Sequence, residues 1–304
     1  MTKWRKHLRA VFLVLLFVGS ASGAMAACMP GYPANLPCPQ QPYQTVKLEY
    51  QDRLSRLRRL TDAARQPHFY TEWITPSEHG LPTYPVSIPV LRVVFDQRTF
   101  FDVDSAVVRP EAYAVLDTIA EDLKREPPDV SLFVAGHTDS TGSEDYNFNL
   151  GLRRANAVAA ALVRRGIYQA SVYRVSFGEA VPIASNDTVA GRARNRRVEF
   201  LFAAKARAIK VWLEKQPVET CAANAKSELG RCKHELHFEA RRVIVSPASV
   251  KQVQELSRRQ QAIEHNRGLS QEELVREKQK IELERKKIPV TLSRERVPII
   301  LGAK

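Results

Sequence analysis

Between Leu91 and Phe202 the hydrophobic pattern switches repeatedly between a period of two and a period near 3.6, and few folds accept that order of switches. Leu91 to Phe101 mixes β-branched and aromatic residues with polar ones and reads as one or two strands. Pro110 opens a helix to about Arg125, with Ala112, Val115, Leu116, Ile119, Ala120 and Leu123 on one face, and Pro127-Pro128 stops it. Val130 to Ala135 is the next strand, followed by the loop Gly136-His137-Thr138-Asp139-Ser140-Thr141-Gly142. A second helix, about Asn147 to Arg165, buries Leu150, Ala155, Val158, Ala159, Leu162 and Val163 and ends at Gly166. Val172 to Gly178 and Arg197 to Phe202 supply two more strands. The order is β-α-β-α-β-β, which predicts an α+β domain over 90–204 with its helices packed on a mixed sheet.

The flanks differ in character. Residues 27–89 hold a Pro-rich arm, a helix over Val46 to Arg65 with Leu54, Leu57 and Leu60 three apart, and a stretch from Pro67 to Pro89 with five prolines, which reads as a linker or draped loop. Residues 205–304 form a basic extension. It carries about +9 of the chain's net +13, residues 1–9 carry +4, and the region between is balanced. Residues 249–265 and 270–288 read as charged helices, the second opened by the capping box Ser270 and Glu273, with short strands at Val243–Val245, Val290–Leu292 and Val297–Leu301. The apolar stripes of these helices (Val250, Val253, Leu256, Ile263; Leu274, Ile281) are thin, which leaves them exposed or packed on a partner. The basic end lacks interleaved aromatics and any zinc-finger, helix-turn-helix or RNA-recognition pattern, so nucleic acid is not the expected partner.

Residues 1–26 have the basic start, apolar core and small-residue end of a secretory signal peptide, which predicts export to the periplasm. Two processing readings compete. Ala24-Met25-Ala26 suits simple cleavage, whereas Met25-Ala26-Ala27-Cys28 is similar to a lipobox, in which Cys28 would carry an outer-membrane lipid anchor. Cysteine parity favours simple cleavage: Cys28 with Cys38 and Cys221 with Cys232 make two short-range disulfides, and lipidating Cys28 would strand Cys38.

Five blocks in order carry a resemblance. They are Phe101-Asp102-Val103-Asp104-Ser105-Ala106; Gly136 to Gly142; Asn147, Leu150, Arg154 and Ala155; Gly178-Glu179 before Pro182; and Asn186, Gly191-Arg192-Ala193 and Asn195-Arg196-Arg197-Val198-Glu199. Over about residues 90–202 the chain resembles the OmpA C-terminal family, shared by porin tails, peptidoglycan-associated lipoproteins and flagellar stator subunits. The resemblance implies non-covalent binding of peptidoglycan through the diaminopimelate of its stem peptide, whose side-chain end bears an ammonium and a carboxylate.

By position in the motif Asp139 would take the ammonium and Arg154 the carboxylate. A guanidinium suits that carboxylate because its planar fork donates two parallel charge-assisted bonds. Asn147 lies seven residues before Arg154, on the same helix face to within about 20°. Thr141, Gly142 and the helix N-terminus would add anion donors, and Arg196 would sit beside the pocket while Arg197 supports the fold. Plainer readings stand beside these: Asp139 closing an Asx-turn, Asn147 as a helix N-cap, Asp102 and Asp104 as turn residues. No cofactor or metal is expected, since neither cysteine pair has ligand spacing and His137 has no His or Cys near it in sequence. No nucleophile or paired-carboxylate set for hydrolysis is visible, so the expectation is a non-enzymatic anchor, with a protein partner in the envelope docking on residues 205–304 as the alternative role.

Overall fold

The structure, a computed structural model, describes residues 42–63, 66–127, 130–167, 171–216, 237–244, 246–266 and 268–300. The expected signal peptide, the Pro-rich arm before Pro42, and all four cysteines with their expected disulfides lie outside the described residues. In chain order the elements are α1 (Pro42–Leu57), α2 (Leu60–Ala63), β1 (His68–Ile74), α3 (Pro76–His79), β2 (Ile88–Asp96), α4 (Ala112–Leu123), β3 (Ser131–His137), α5 (Glu144–Val163), β4 (Ser171–Gly178), α6 (Val189–Asn195), β5 (Arg197–Ala203), α7 (Ala206–Glu214), β6 (His237–Ile244), α8 (Pro247–His265), α9 (Gln271–Lys287) and β7 (Thr291–Ile300).

The fold is α+β, built on one mixed sheet of order β1-β2-β5-β3-β4-β6-β7. Only β3 and β4 run parallel; the other neighbours are antiparallel. A parallel pair needs a crossover, and α5 supplies it.

Strand alternation sends β3 and β5 side chains to two separate cores. Leu132, Val134, Phe200 and Phe202 face α4 and α5, together with Leu57 and Leu60. Phe133, Ala135, Leu201 and Ala203 face the other way, onto Ala208, Ile209, Trp212 and Leu213 of α7. Every residue of β3 and of β5 is therefore buried, as expected of strands covered on both faces.

Several elements differ from the expectations above. The Pro67–Pro89 stretch is not a draped loop: His68–Ile74 pairs antiparallel with β2, from His68↔Val94 to Ile74↔Ile88. Its prolines flank the strand rather than interrupt it, and β1 lies at the sheet edge, where such limits are tolerated. The Leu91–Phe101 region holds one strand, ended by a 3-10 turn over Gln97–Thr99. The helix expected over Val46 to Arg65 is broken between Leu57 and Leu60. Its position is set by charge as much as by leucines: Arg53 forms a buried two-bond pair with Glu126 at 2.9 and 2.6 Å, and Arg56 reaches Asp122 and Glu126.

The basic extension does not stand apart from the domain. β6 continues the sheet through Tyr173↔Arg242 and Arg174↔Arg241, and the two short strands expected near 290–301 are one strand, β7, paired with β6. The thin stripes of α8 and α9 close on each other, Val253 and Leu256 packing with Ile281 and Ile288. An ion pair and a hydrogen bond hold this hairpin to the domain: Arg165, itself paired with Asp117 of α4 at 2.8 Å, contacts Glu282 at 2.6 Å, and Arg164 Nε donates to the Ile288 carbonyl at 2.9 Å. The capping box at α9 is present, with Ser270 accepting from the Glu273 N–H at 3.3 Å and Glu273 accepting from the Ser270 N–H at 2.9 Å.

Candidate functional site

The site lies where β3 ends and α5 begins. At the end of β3 its register to β4 shifts between Gly136 and His137, which turns the chain out of the sheet. Gly142 then adopts φ +101°, a region where a side chain would be strained, and Ser143 caps α5 by accepting from the Tyr146 N–H at 3.2 Å. Asn147 is therefore not the N-cap. It lies inside the helix, buried, and donates through Nδ2 to Glu179 Oε2 at 2.5 Å.

The helix is brought against the strand by missing side chains. A Cβ on Gly136 would fall 2.1 Å from the carbonyl oxygen of Gly151, and one on Gly151 would fall 2.8 Å from the carbonyl oxygen of Gly136. The two backbones touch directly, midway between Asn147 and Arg154. Ser176 adds a hydrogen bond from its hydroxyl to the Phe148 carbonyl at 2.6 Å.

Asp139 is 7% exposed and both of its oxygens are occupied. Oδ1 accepts from the Thr141 N–H at 2.9 Å, closing the Asx-turn, and Oδ2 accepts from Arg196 Nη1 at 2.5 Å. Burial alone would raise its pKa, but the bonds from Arg196 and Thr141 outweigh burial and hold the carboxyl below its ordinary value. The turn and the charge pair coexist in one carboxylate.

Arg154 is the opposite case. It is 1% exposed, its Nε donates to the Ser105 carbonyl at 2.9 Å, and its guanidinium lies 5.6 Å from the centroid of the Phe101 ring. Among the described residues no carboxylate comes within ion-pair distance of it and its terminal nitrogens meet no acceptor. Burial pushes its pKa down to about 10, with Asp104 and Tyr146 working against that shift and Arg196 and Arg153 adding to it. It remains charged at neutral pH. Arg196 thus links the two residues, paired with Asp139 and close enough to repel Arg154.

One of the donors expected from the loop is already engaged. The Thr141 N–H goes to Asp139, Thr141 and Gly142 are exposed, and the first turn of α5 carries Glu144 and Asp145, which already answer the helix dipole. Arg197 is structural: buried, it donates to Glu199 Oε1 at 2.6 Å and to the carbonyls of Asn195 and Val181. His137 is buried, stacked on Phe177 with centroids 4.7 Å apart. Its pKa is driven well below the usual value, first by burial and then by Arg197 and Arg92. A neutral ring sealed from solvent is poorly placed to exchange protons with a ligand.

Sequence reasoning quoted Asp104 and Glu179 among the motif blocks but gave neither a role at the site, and it missed Tyr146 altogether. Tyr146 donates its phenol hydrogen to Asp104 Oδ1, and Asn195, fully buried, organises the facing loop by accepting from the N–H groups of Ile183 and Ala184 at 2.8 and 2.9 Å.

Residues 100–196 match the model of the OmpA family. The chain is 44% identical over 109 residues to Outer membrane protein A of Bordetella avium, covering 36% of this chain and 56% of that protein. It is 43% identical over 101 residues to the peptidoglycan-associated lipoprotein of Pseudomonas aeruginosa, covering 33% of this chain and 59% of that protein. The chain thus spans little more than half the length of these curated relatives. Among solved structures, the peptidoglycan-associated lipoprotein of Burkholderia pseudomallei is 36% identical, covering 34% of this chain and 86% of that chain, with a TM-score of 0.32.

Proposed function

Taking as premise that residues 100–196 are an OmpA family domain, we propose that this protein grips peptidoglycan non-covalently and anchors part of a bacterial envelope to the wall. The observation that carries the reading is Arg154, a buried, charged guanidinium with no carboxylate within ion-pair distance among the described residues. Burying such a charge without a partner is costly, and the cost is recovered when a ligand supplies the anion. The names of two matched proteins point the same way, one a peptidoglycan-associated lipoprotein and one the peptidoglycan-binding protein ArfA of Mycobacterium tuberculosis.

In the proposed complex the diaminopimelate carboxylate takes the terminal nitrogens of Arg154, and its ammonium goes to Asp139. Asn147 and Glu179 border the same end of α5, and Arg196 is released from Asp139 to share the carboxylate. The role is adhesion without catalysis. The relatives are envelope proteins, and export through residues 1–26 fits that setting. A protein partner remains the second role for residues 205–304, favoured by Val275 and Leu283, which α9 leaves 50% and 59% exposed.

Sacculi test this directly. The mature protein should co-sediment with wall that has diaminopimelate at the third stem position and not with wall that has lysine there, because lysine keeps the ammonium and lacks the carboxylate. Equal retention on both walls would defeat the assignment. The pH profile is a second check. Asp139 has a depressed pKa, so its ionised form is present above the ordinary carboxylate value and is lost only as pH falls through the lower folded value. Retention should stay flat between about pH 5 and pH 8 and drop in stronger acid. The burial of His137 predicts no step at the histidine value; a midpoint there would contradict it.

A further inference from the structure

Resting on that reading, we propose that Tyr146 is a positioning residue for Arg154: by donating to Asp104 it pins the 102–109 loop so that the Ser105 carbonyl holds the guanidinium at Nε and leaves its terminal nitrogens to the ligand's carboxylate.

A free arginine side chain spreads over many rotamers, and fixing one costs conformational entropy. Arg154 is fixed by one hydrogen bond high on the guanidinium, to Ser105, and by the Phe101 ring beside it. That arrangement points the fork outward only if the Ser105 carbonyl stays in place. Ser105 belongs to an irregular loop, and its neighbour Asp104 has φ +58°, a left-handed conformation that a residue with a side chain keeps only where its surroundings impose it.

Two kinds of contact impose it. Within the loop, Ser105 Oγ accepts from the Val107 N–H at 3.0 Å, and the Arg109 N–H donates to the Phe100 carbonyl at 2.8 Å, with Arg109 paired to Asp102 at 3.0 Å. Between the loop and α5 there are two side-chain ties, Tyr146 to Asp104 and Arg154 to Ser105, on consecutive loop residues. The tyrosine is therefore the latch that leaves the arginine free to bind. It also occupies the Asp104 carboxylate. Asp104 is the strongest charge favouring ionised Arg154, and without the phenol it could swing onto the guanidinium and compete with the ligand.

Tyr146 is itself well placed for a latch and poorly placed for a core. It is 40% exposed, its backbone is set by the Ser143 cap, and Arg153 lies over its ring at 6.0 Å. Removing its hydroxyl should leave the fold intact.

The test measures, by calorimetry on the mature protein, binding of the tripeptide L-Ala-D-isoglutamate-meso-diaminopimelate and of the same tripeptide amidated at its side-chain-end carboxylate. Wild type should prefer the free carboxylate; if it binds neither, the peptidoglycan reading itself fails. Tyr146→Phe should weaken the free tripeptide about five- to tenfold, leave the amidated one nearly unchanged, and melt at the wild-type temperature. Asp104→Ala should repeat the loss, and Asp104→Asn, whose carbonyl still accepts from the phenol and which tolerates the left-handed backbone, should restore most of it. Equal weakening of both tripeptides, or wild-type affinity in Tyr146→Phe, overturns the proposal.

Discussion

Arg154→Ala should abolish retention on diaminopimelate-containing wall while leaving the domain folded. Truncating one half of a buried, hydrogen-bonded charge pair costs about 2–5 kcal/mol of binding, or roughly 30- to 4000-fold. Stability should move far less. The variant loses the packing against Phe101 and the bond to Ser105, but it also removes a buried charge with no carboxylate within ion-pair distance among the described residues, and the two effects oppose each other. Arg154→Lys separates charge from geometry: the ammonium remains, the two-pronged donor does not, and binding should fall between the other two. Co-sedimentation with sacculi, alongside thermal melts, reads both quantities. Retention of Arg154→Ala at the wild-type level would remove the residue from the site.

Gly136→Ala should fail in the other direction, through the fold. Its added methyl would lie 2.1 Å from a backbone oxygen of α5, a clash that no rotamer relieves. The helix must lift from β3, breaking packing on both Asn147 and Arg154 flanks, at about 3–5 kcal/mol. For a domain of this size that is a fall in melting temperature on the order of 10 °C. Wall binding should be lost with it, since the two ligand groups ride on different elements. The pair of variants is diagnostic: one melts normally and does not bind, the other melts early and does not bind. A Gly136→Ala protein as stable as wild type would show that the helix and strand do not need this contact.

Much of the domain was legible because its segments keep one period for long enough. α4, α5 and the strands β2 to β5 were all expected within a few residues of where they lie. β1 was hidden by the prolines that bracket it, although His68 to Ile74 contains none. α7 was hidden by its brevity and by Arg207 and Lys210 within it. Its signal was present in Ala208, Ile209, Trp212 and Leu213, spaced to share one face, and finding it would have revealed that the sheet is covered on both sides. The contacts among the residues of the proposed site were not legible as a network. Asp139 and Arg196 are 57 positions apart and Tyr146 and Asp104 are 42 apart, and no local pattern ties such partners together. Position alone likewise does not show which N–H groups near the α5 N-terminus are already committed, as the Thr141 N–H is to Asp139.

The resting contact between Asp139 and Arg196 has a consequence for discrimination. With it in place the proposed site is closed on one side only: Asp139 is already paired, and Arg154 is not. A lone amine arriving at Asp139 would expel Arg196 and leave two neighbouring guanidiniums without an anion. A lone acid arriving at Arg154 would find the other half of the site already neutral and gain nothing from it. Only a group carrying both charges at the right separation exchanges one internal pair for two external ones. In the proposed complex, then, the Asp139–Arg196 contact selects against a free amine, and a zwitterion gains from both halves where a free acid gains only from Arg154.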